Sequence, residues 1–173
     1  MSGVGRDERA WVRGAQAGSA SDLEALFRAF WPRAYRAAYL VAHDAAAAED
    51  IAQEAFLAAI RSLERFDRRR PFGPWLHRIV VNRAIDYARR RQLRGESELH
   101  DVGAEAPERS DAQGLAGAIA RLPPEQRAVI VLRHLLDYTP GEIARLLDLP
   151  RGTVNSRLRR ALDALALALE EER

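Results

Sequence analysis

The stretch that decides the fold reads TPGEIARLLDLPRGTVNSRLRR, at residues 139–160. Its apolar residues recur at helical spacing on both sides of the short break at 148–150, which predicts two helices joined by a tight turn. The second helix carries arginines and small polar side chains along its first turns. A helix-turn-helix presents its recognition helix to the major groove of DNA with side chains of this kind. The stretch therefore predicts a DNA-binding unit.

Local signals fix the bounds of these two helices. Thr139 is placed to cap the first helix, Pro140 suits its first position, and Glu142 completes a capping box. Asp148 stands in the turn where many such motifs have glycine, and aspartate tolerates the left-handed backbone conformation better than most residues. We expect the two helices to be held together by Leu146, Leu149, Val154 and Leu158.

The composition excludes several classes of protein. The 173 residues, 47% of them hydrophobic, are enough for one domain or two small ones with a packed core. The absence of cysteine excludes disulfide frameworks and cysteine-based zinc sites. No run approaches the roughly 18 apolar residues of a membrane span, and the first residues lack the apolar core of a signal peptide. We therefore expect a cytoplasmic protein without membrane insertion.

The charge is distributed unevenly along the chain, although the net charge is only +2. The chain contains no lysine, so its basic side chains are those of arginine, which bind phosphates and guanine edges in bidentate fashion. Residues 1–94 hold 17 arginines against 11 acidic residues, 95–114 hold 1 against 6, and 115–173 hold 9 against 8. The middle segment also loses the apolar period. We expect it to be an acidic flexible linker between two domains.

The apolar period in the rest of the chain is that of α-helices, and almost no strand pattern is present. The predicted fold class is therefore all-α, with two small helical domains at 1–94 and 115–173. The last helix of the helix-turn-helix is expected to run from about residue 151 to 169. The other expected helices are 22–42 (one helix, or a pair divided at Pro32), 46–65, 74–93, 115–121 and 125–136.

A polar face of the 46–65 helix is the first candidate site. Its members lie opposite the apolar stripe at helical spacing: Asp50, Gln53, Glu54 and Leu57. Most such faces are only solvated surface. Two carboxylates four residues apart also suit a metal or acid–base site, but no histidine stands at ligand spacing beside them. The residues alone leave a binding face and a solvated face open.

The segment from residue 66 to 94 combines arginines with aromatic residues. This mixture suits single-stranded DNA, because bases stack on aromatic rings while arginines follow the phosphate backbone. Trp75 has a second interpretation as a core residue, since it shares a helix face with Leu76 and Ile79. The candidates for strand binding are Arg68, Arg69, Arg70, Phe72, Trp75, Arg78, Asn82, Arg89 and Arg90.

The sequence gives no support to an enzymatic function. The four histidines are scattered, at His43, His77, His100 and His134. There is no serine–histidine–aspartate order typical of hydrolases, no P-loop and no dinucleotide-binding glycine pattern. We expect no catalytic residue, no metal site and no cofactor.

Four motifs, in this order, resemble those of an extracytoplasmic-function (ECF, group 4) RNA polymerase sigma factor of the sigma-70 family. They are AEDIAQEAFL at 48–57, FGPWLHRIVVNRAIDYARRR at 72–91, LPPEQR at 122–127, and the helix-turn-helix. Each motif alone is moderate evidence, but together they cover almost the whole chain. The resemblance implies an alternative sigma factor that binds core RNA polymerase and directs promoter-specific initiation of transcription.

The resemblance also implies roles for the candidate residues and further partners. The polar face from Asp50 to Leu57 would bind the clamp coiled coil of the β′ subunit, and Asn82 would help to read a flipped-out base of the −10 element. The second domain would contact the β flap and read the −35 element of promoter DNA. An anti-sigma factor is a further implied partner. At the −35 element, base contacts are implied for Asn155, Ser156, Arg159 and Arg160, and phosphate contacts for Arg151, Thr153 and Arg157.

Two rival functions come from other classes of protein. One is a helix-turn-helix transcriptional regulator that uses only residues 115–173 and has no role at the polymerase core. It leaves the motifs at 48–57 and 72–91 unexplained. The other is a helical protein-interaction module whose arginines only solubilise its surface, and it predicts no salt-dependent binding to promoters.

Overall fold

The computed structural model describes residues 4–95 and 111–171, with side chains from 7 to 95 and from 114 to 170. Within these ranges the chain is helical and contains no strand, as predicted. None of the described helices has the length and apolar character needed to cross a membrane. The helices are α1 (Val4–Gln16), α2 (Ala20–Ala42), α3 (Ala45–Ser62), α4 (Phe72–Leu93), α5 (Asp111–Ala120), α6 (Pro124–Ile130), α7 (Pro140–Leu147) and α8 (Arg151–Glu171).

Several bounds differ from those expected. α1 was not predicted, and Pro32 lies inside the single helix α2 rather than at the start of a new one. Pro32 is exposed, and it has no N–H to donate to the carbonyl four residues earlier in the helix. α5 begins at Asp111, within the segment expected to be linker, and packs against α2 and α8. The rest of the expected linker, 96–110, lies outside the described residues.

The N-terminal half has its core between α2, α3 and α4, which pack on one another. Small side chains dominate the contact, so the helix axes can approach closely. Larger buried residues, such as Leu26, Leu76 and Val80, fill the space between the helices. The fully buried alanines are Ala34, Ala37, Ala38, Ala48, Ala52, Ala55 and Ala84.

The helices of this half begin and end at identifiable caps. Asp44 Oδ1 accepts a hydrogen bond from the Ala47 N–H at the start of α3, at 2.9 Å. The residue before Asp44, His43, is the C-cap of α2, and its backbone is left-handed with φ 51°. A sharp reversal therefore separates α2 from α3 and lays the two helices side by side.

The C-terminal half has its core beneath the helix-turn-helix. Val154 and Leu158 of α8 are buried against Ile143 and Leu146 of α7, as the sequence predicted for Leu146, Val154 and Leu158. Leu149 is half-buried and packs on the same core. α6 continues into a π-helical turn, Val131–Leu135, in which Val131 and Leu132 are buried. The recognition helix α8 is thus held on its buried side by α5, α6 and α7.

The two halves pack directly on each other, with α2 and α4 against α6 and α7. Arg127 is only 1% exposed, and its Nη1 donates to the Val41 carbonyl across the contact at 3.0 Å. The same side chain donates from Nε to the Leu122 carbonyl at 2.7 Å, so the buried charge has backbone acceptors. We call the contact between the halves the seam.

Candidate functional site

The polar face of α3 is assembled as predicted. Asp50, Gln53, Glu54 and Leu57 are all exposed, whereas Ile51 and its apolar neighbours point into the core. Leu57 is 49% exposed beside these polar side chains. The face therefore combines two carboxylates, an amide and an uncovered apolar side chain, and this combination is chemically suited to a protein partner.

The α3 surface continues into an apolar groove that sequence reasoning missed. A cavity of about 280 Å³ opens between α2 and α3, where Phe27 is 41% exposed and Ile60 is 39% exposed. Trp31 stacks on Phe27 with ring centroids 4.9 Å apart. Helical periodicity could not show that the side chain of Phe27 lacks a cover.

The loop before α4 presents the predicted arginines. Arg68, Arg69 and Arg70 are exposed, and Asp67 organises the turn by accepting from the Arg69 backbone N–H at 3.0 Å. The Arg69 side chain also binds the Asp67 carboxylate, and this hydrogen bond is the main reason why the pKa of Asp67 is lowered. Surface ion pairs are worth little in water, so a phosphate can compete with Asp67 for Arg69.

The aromatic residues beside this loop correct part of the prediction. Phe72 is only 3% exposed and packs edge-on against Phe30. Its assignment as a base-stacking residue is therefore wrong in this arrangement, because its ring completes the hydrophobic core. Trp75 is half-buried, with its ring 4.6 Å from that of Phe66, which favours the core interpretation for Trp75 as well.

The outer face of α4 carries the remaining strand-binding candidates. Arg78, Asn82, Arg89 and Arg90 are exposed along this helix. The ten residues from Phe72 to Asn82 correspond to about 15 Å of helix, so Asn82 stands well away from the arginines of the loop. A cleft of about 790 Å³ between α3 and α4 is lined by Asn82 together with Asp50 and Glu54. The structure therefore places the −10 candidate Asn82 next to the α3 polar face.

The helix-turn-helix has the predicted local geometry. The Glu142 carboxylate accepts from the Thr139 N–H at 2.8 Å, and Thr139 Oγ1 accepts from the Glu142 N–H at 3.3 Å. The backbone hydrogen bond from Thr139 lowers the pKa of Glu142. Asp148 adopts the left-handed conformation with φ 54°. The capping box and the aspartate turn are thereby confirmed.

The recognition helix α8 exposes most of its candidates. Arg151, Asn155 and Arg159 follow one another at four-residue spacing on one exposed face, and Arg160 is exposed beside them. Ser156 is half-buried, and its hydroxyl donates to the Thr153 carbonyl at 3.0 Å. Thr153 and Arg157 are also half-buried.

The seam brings candidates from the two predicted DNA surfaces together. Arg157 of α8 and Asn82 of α4 line one cleft of about 360 Å³. Arg89 binds Glu125 in the same cleft. Burial, the largest single effect, raises the pKa of Glu125, but the hydrogen bond from Arg89, a backbone hydrogen bond and the charges of Arg89 and Arg157 together lower it overall. Among the side chains that the structure describes, no three His, Cys, Asp or Glu residues are grouped to hold a metal ion.

Comparison with known proteins identifies the class to which this architecture belongs. Residues 26–94 match the family model Sigma-70 region 2, and residues 113–165 match Sigma-70, region 4. The chain therefore belongs to the sigma-70 family, and its relatives are sigma factors of the ECF group. It is an alternative sigma factor with a role in the initiation of transcription.

Two curated relatives illustrate the similarity over the whole chain. The ECF RNA polymerase sigma factor SigM of Mycobacterium tuberculosis is 34% identical over 171 residues, which cover 95% of this chain and 87% of that protein. The ECF RNA polymerase sigma factor SigW of Bacillus subtilis is 31% identical, with coverages of 79% and 83%.

Solved structures show the same fold. CnrH in complex with the cytosolic domain of CnrY aligns with a TM-score of 0.73 and 25% identity, over 96% of this chain and 99% of that one. The sigma factor RpoE of Bartonella quintana, in complex with the anti-sigma factor NepR, aligns with a TM-score of 0.71 and 22% identity, over 89% of this chain.

Proposed function

We propose that this protein binds core RNA polymerase through the polar face of α3, and that the holoenzyme then reads promoters through α4 and α8. The observation that carries the proposal is the presence of three exposed surfaces of different chemistry on one chain. They are the α3 face, the basic loop with the outer side of α4, and the recognition helix. A regulator that used only the helix-turn-helix would have no need of the first two surfaces.

The α3 face suits a partner protein better than a small-molecule ligand. Glu54 Oε2 binds Arg83 Nη1 at 2.6 Å, but Glu54 keeps 62% of its side chain exposed and can exchange this pair for a basic partner. Leu57 adds an apolar contact beside the carboxylates. We assign this face to the clamp coiled coil of the polymerase β′ subunit.

The −10 element is assigned to the basic loop and α4. Arg68 and Arg70 supply positive charge for the phosphates of an unpaired strand. Asn82 offers an amide that can donate to and accept from the edge of a flipped-out base. Since Phe72 and Trp75 are committed to packing, the bases are recognised by their edges and the backbone by its charge, rather than by stacking on these two rings.

The −35 element is assigned to the first turns of α8. Asn155, Arg159 and Arg160 project from a helix that is buried on its other side, so they can enter a major groove without disturbing the core. Thr153 and Arg157 are half-buried on the same helix, and we assign contacts to phosphates to them. We also assign to the C-terminal half a contact with the flap of the polymerase β subunit.

Two further features belong to the proposal. An anti-sigma factor is expected as a partner, because the relative RpoE was solved with one. The protein is expected to act in the cytoplasm and to perform no covalent chemistry itself, because the polymerase supplies the active site.

Run-off transcription tests the proposal as a whole. Core polymerase is incubated with a pool of duplex templates, with and without the purified protein. The proposal predicts discrete transcripts only when the protein is present, from templates that share two sequence elements. Salt-dependent binding of the protein to DNA without any protein-dependent transcript would favour the simple regulator and contradict the proposal.

A further inference from the structure

The helix α1 lies outside the region 2 match, which begins at residue 26. It nevertheless makes polar contacts with both ends of the loop 66–71, which carries Arg68, Arg69 and Arg70. We call this segment the basic loop.

The first contact fixes the start of the basic loop. Gln16 is the last residue of α1, and its Nε2 donates to the Leu63 carbonyl at 2.8 Å and to the Phe66 carbonyl at 3.0 Å. These carbonyls belong to the single 3₁₀ turn Leu63–Arg65 and to the residue that ends it. The Leu63 carbonyl also accepts from the Phe66 N–H at 3.0 Å, so the Gln16 amide adds a second hydrogen bond there and ties the end of this turn to α1.

The second contact fixes the end of the basic loop. Glu8 accepts a hydrogen bond from the Phe72 N–H through Oε1, at the first residue of α4. The preceding residue, Pro71, provides no side-chain cap for this helix. The Glu8 carboxylate therefore serves as the missing cap from a distant part of the chain, and its negative charge suits the positive end of the α4 dipole.

The middle of the basic loop is ordered by its own turn. The Arg70 N–H donates to the Asp67 carbonyl at 2.9 Å, and the Arg69 N–H donates to the Asp67 carboxylate. With both ends held by α1, the three arginines have a fixed base from which they project into solvent.

We propose that Glu8 and Gln16 are positioning residues for the −10 element: α1 holds the basic loop at the place where the unpaired strand passes. The inference rests on the proposed function and adds to it a role for a helix that lies outside the region 2 match. Base selection needs a site fixed to within about half an ångström, and residues outside the site commonly provide that rigidity.

The test uses four single substitutions in the full-length protein, reconstituted with core polymerase. Gln16→Ala removes the donor and Glu8→Ala removes the acceptor. Glu8→Gln keeps an acceptor oxygen for the Phe72 N–H, so it is the conservative variant. Arg9→Ala is the matched control, because Arg9 is exposed on the same helix and has no place in either contact.

Three quantities are measured for each protein: association with core polymerase, the rate of opening of a duplex promoter, and discrimination among bases in a single-stranded −10 oligonucleotide. Loss of two hydrogen bonds in Gln16→Ala and of one in Glu8→Ala predicts a decrease of about threefold to tenfold in opening rate and in base discrimination. Association with core should stay within about twofold of wild type in all variants. Arg9→Ala should behave as wild type, and Glu8→Gln, which keeps the acceptor but loses the charge, should lie between wild type and Glu8→Ala.

Three other outcomes would contradict the positioning role of Glu8 and Gln16. An equal loss of core association and of opening in both alanine variants, with a lowered unfolding temperature, would show that α1 only supports the fold. Wild-type opening and base discrimination in both alanine variants would overturn the positioning role while leaving the proposed function intact. Failure of the wild-type protein to open any promoter would overturn the proposed function and this inference together.

Discussion

His77 lies in the seam, where its Nδ1 is 2.7 Å from the Tyr138 hydroxyl. Its Nε2 has no hydrogen-bond partner among the described residues. Burial, helped by the nearby charge of Arg33, lowers the pKa of His77 to about 4. Burial also raises the pKa of Tyr138, so both side chains are neutral at pH 7. At the residue scale, the packing of the two halves therefore depends on a histidine that must remain unprotonated.

The pH dependence of stability follows from this histidine. Its folded-state pKa is below the value of 6.5 for an unperturbed histidine, so the stabilisation is fully present above pH 6.5 and is lost as the pH falls towards 4. The loss should reach about 3 kcal/mol below pH 4, and about 2 kcal/mol of it falls between pH 7 and pH 5. Urea unfolding at pH 7 and pH 5 measures it, and His77→Gln should show a shallower decrease between these pH values. Equal decreases in both proteins would show that His77 is not responsible.

The clearest prediction about recognition of the −35 element concerns Arg160. If its guanidinium makes a bidentate contact to a base, Arg160→Ala should weaken binding of the −35 element by about 1–3 kcal/mol. Binding to random DNA should change much less, because a base contact contributes only at the right sequence. Titrations of holoenzyme with specific and random duplexes provide the comparison. An equal loss on both would identify Arg160 as a phosphate contact.

At the scale of single elements, α3 carries the prediction for polymerase binding. The double substitution Asp50→Arg with Glu54→Arg should lower association with core by at least about tenfold, because it reverses two exposed charges at the contact. The helical content should not change, since both side chains are exposed. Co-purification with core measures the effect. Glu64→Arg with Asp163→Arg changes the net charge equally at other exposed positions and should bind normally.

The sequence could predict the features that depend on neighbouring residues, but not those that depend on distant ones. The capping box at Thr139 and the left-handed turn at Asp148 were predicted correctly because both depend on neighbours in the sequence. The polar face of α3 was predicted because helical periodicity alone separates it from the core. The burial of Phe72 depends on Phe30, more than forty positions away, and no local pattern could reveal it. The uncovered groove at Phe27 was missed for the same reason.

At the scale of the whole molecule, the seam conflicts with simultaneous reading of two promoter elements. Asn82 and Arg157 line one cleft of about 360 Å³, which is too small to admit a DNA duplex between them. The exposed pair of Arg33 and Asp137, with Nη2 and Oδ2 3.1 Å apart, also crosses the seam. By contrast, the α3 face remains exposed while the halves are together. We therefore expect the seam to open when the protein engages a promoter.

Distance measurements can detect this opening, and the absence of native cysteine makes specific labelling straightforward. Fluorophores at Arg33→Cys and His134→Cys report the distance between the halves. It should be short in the free protein and longer by tens of ångströms in the complex of core polymerase and promoter. A pair within one half, Arg33→Cys with Arg65→Cys, should not change. A constant distance between the halves would mean that the seam persists on DNA.

The central claim is that this chain turns core polymerase into an enzyme that opens promoters. Permanganate reactivity of thymines tests it most directly, because only unpaired thymines react strongly. On a promoter selected with the holoenzyme, the account predicts reactive thymines at the −10 element when core polymerase and this protein are both present, and none with either alone. Specific binding by the holoenzyme without any reactive thymine at that element would contradict the account.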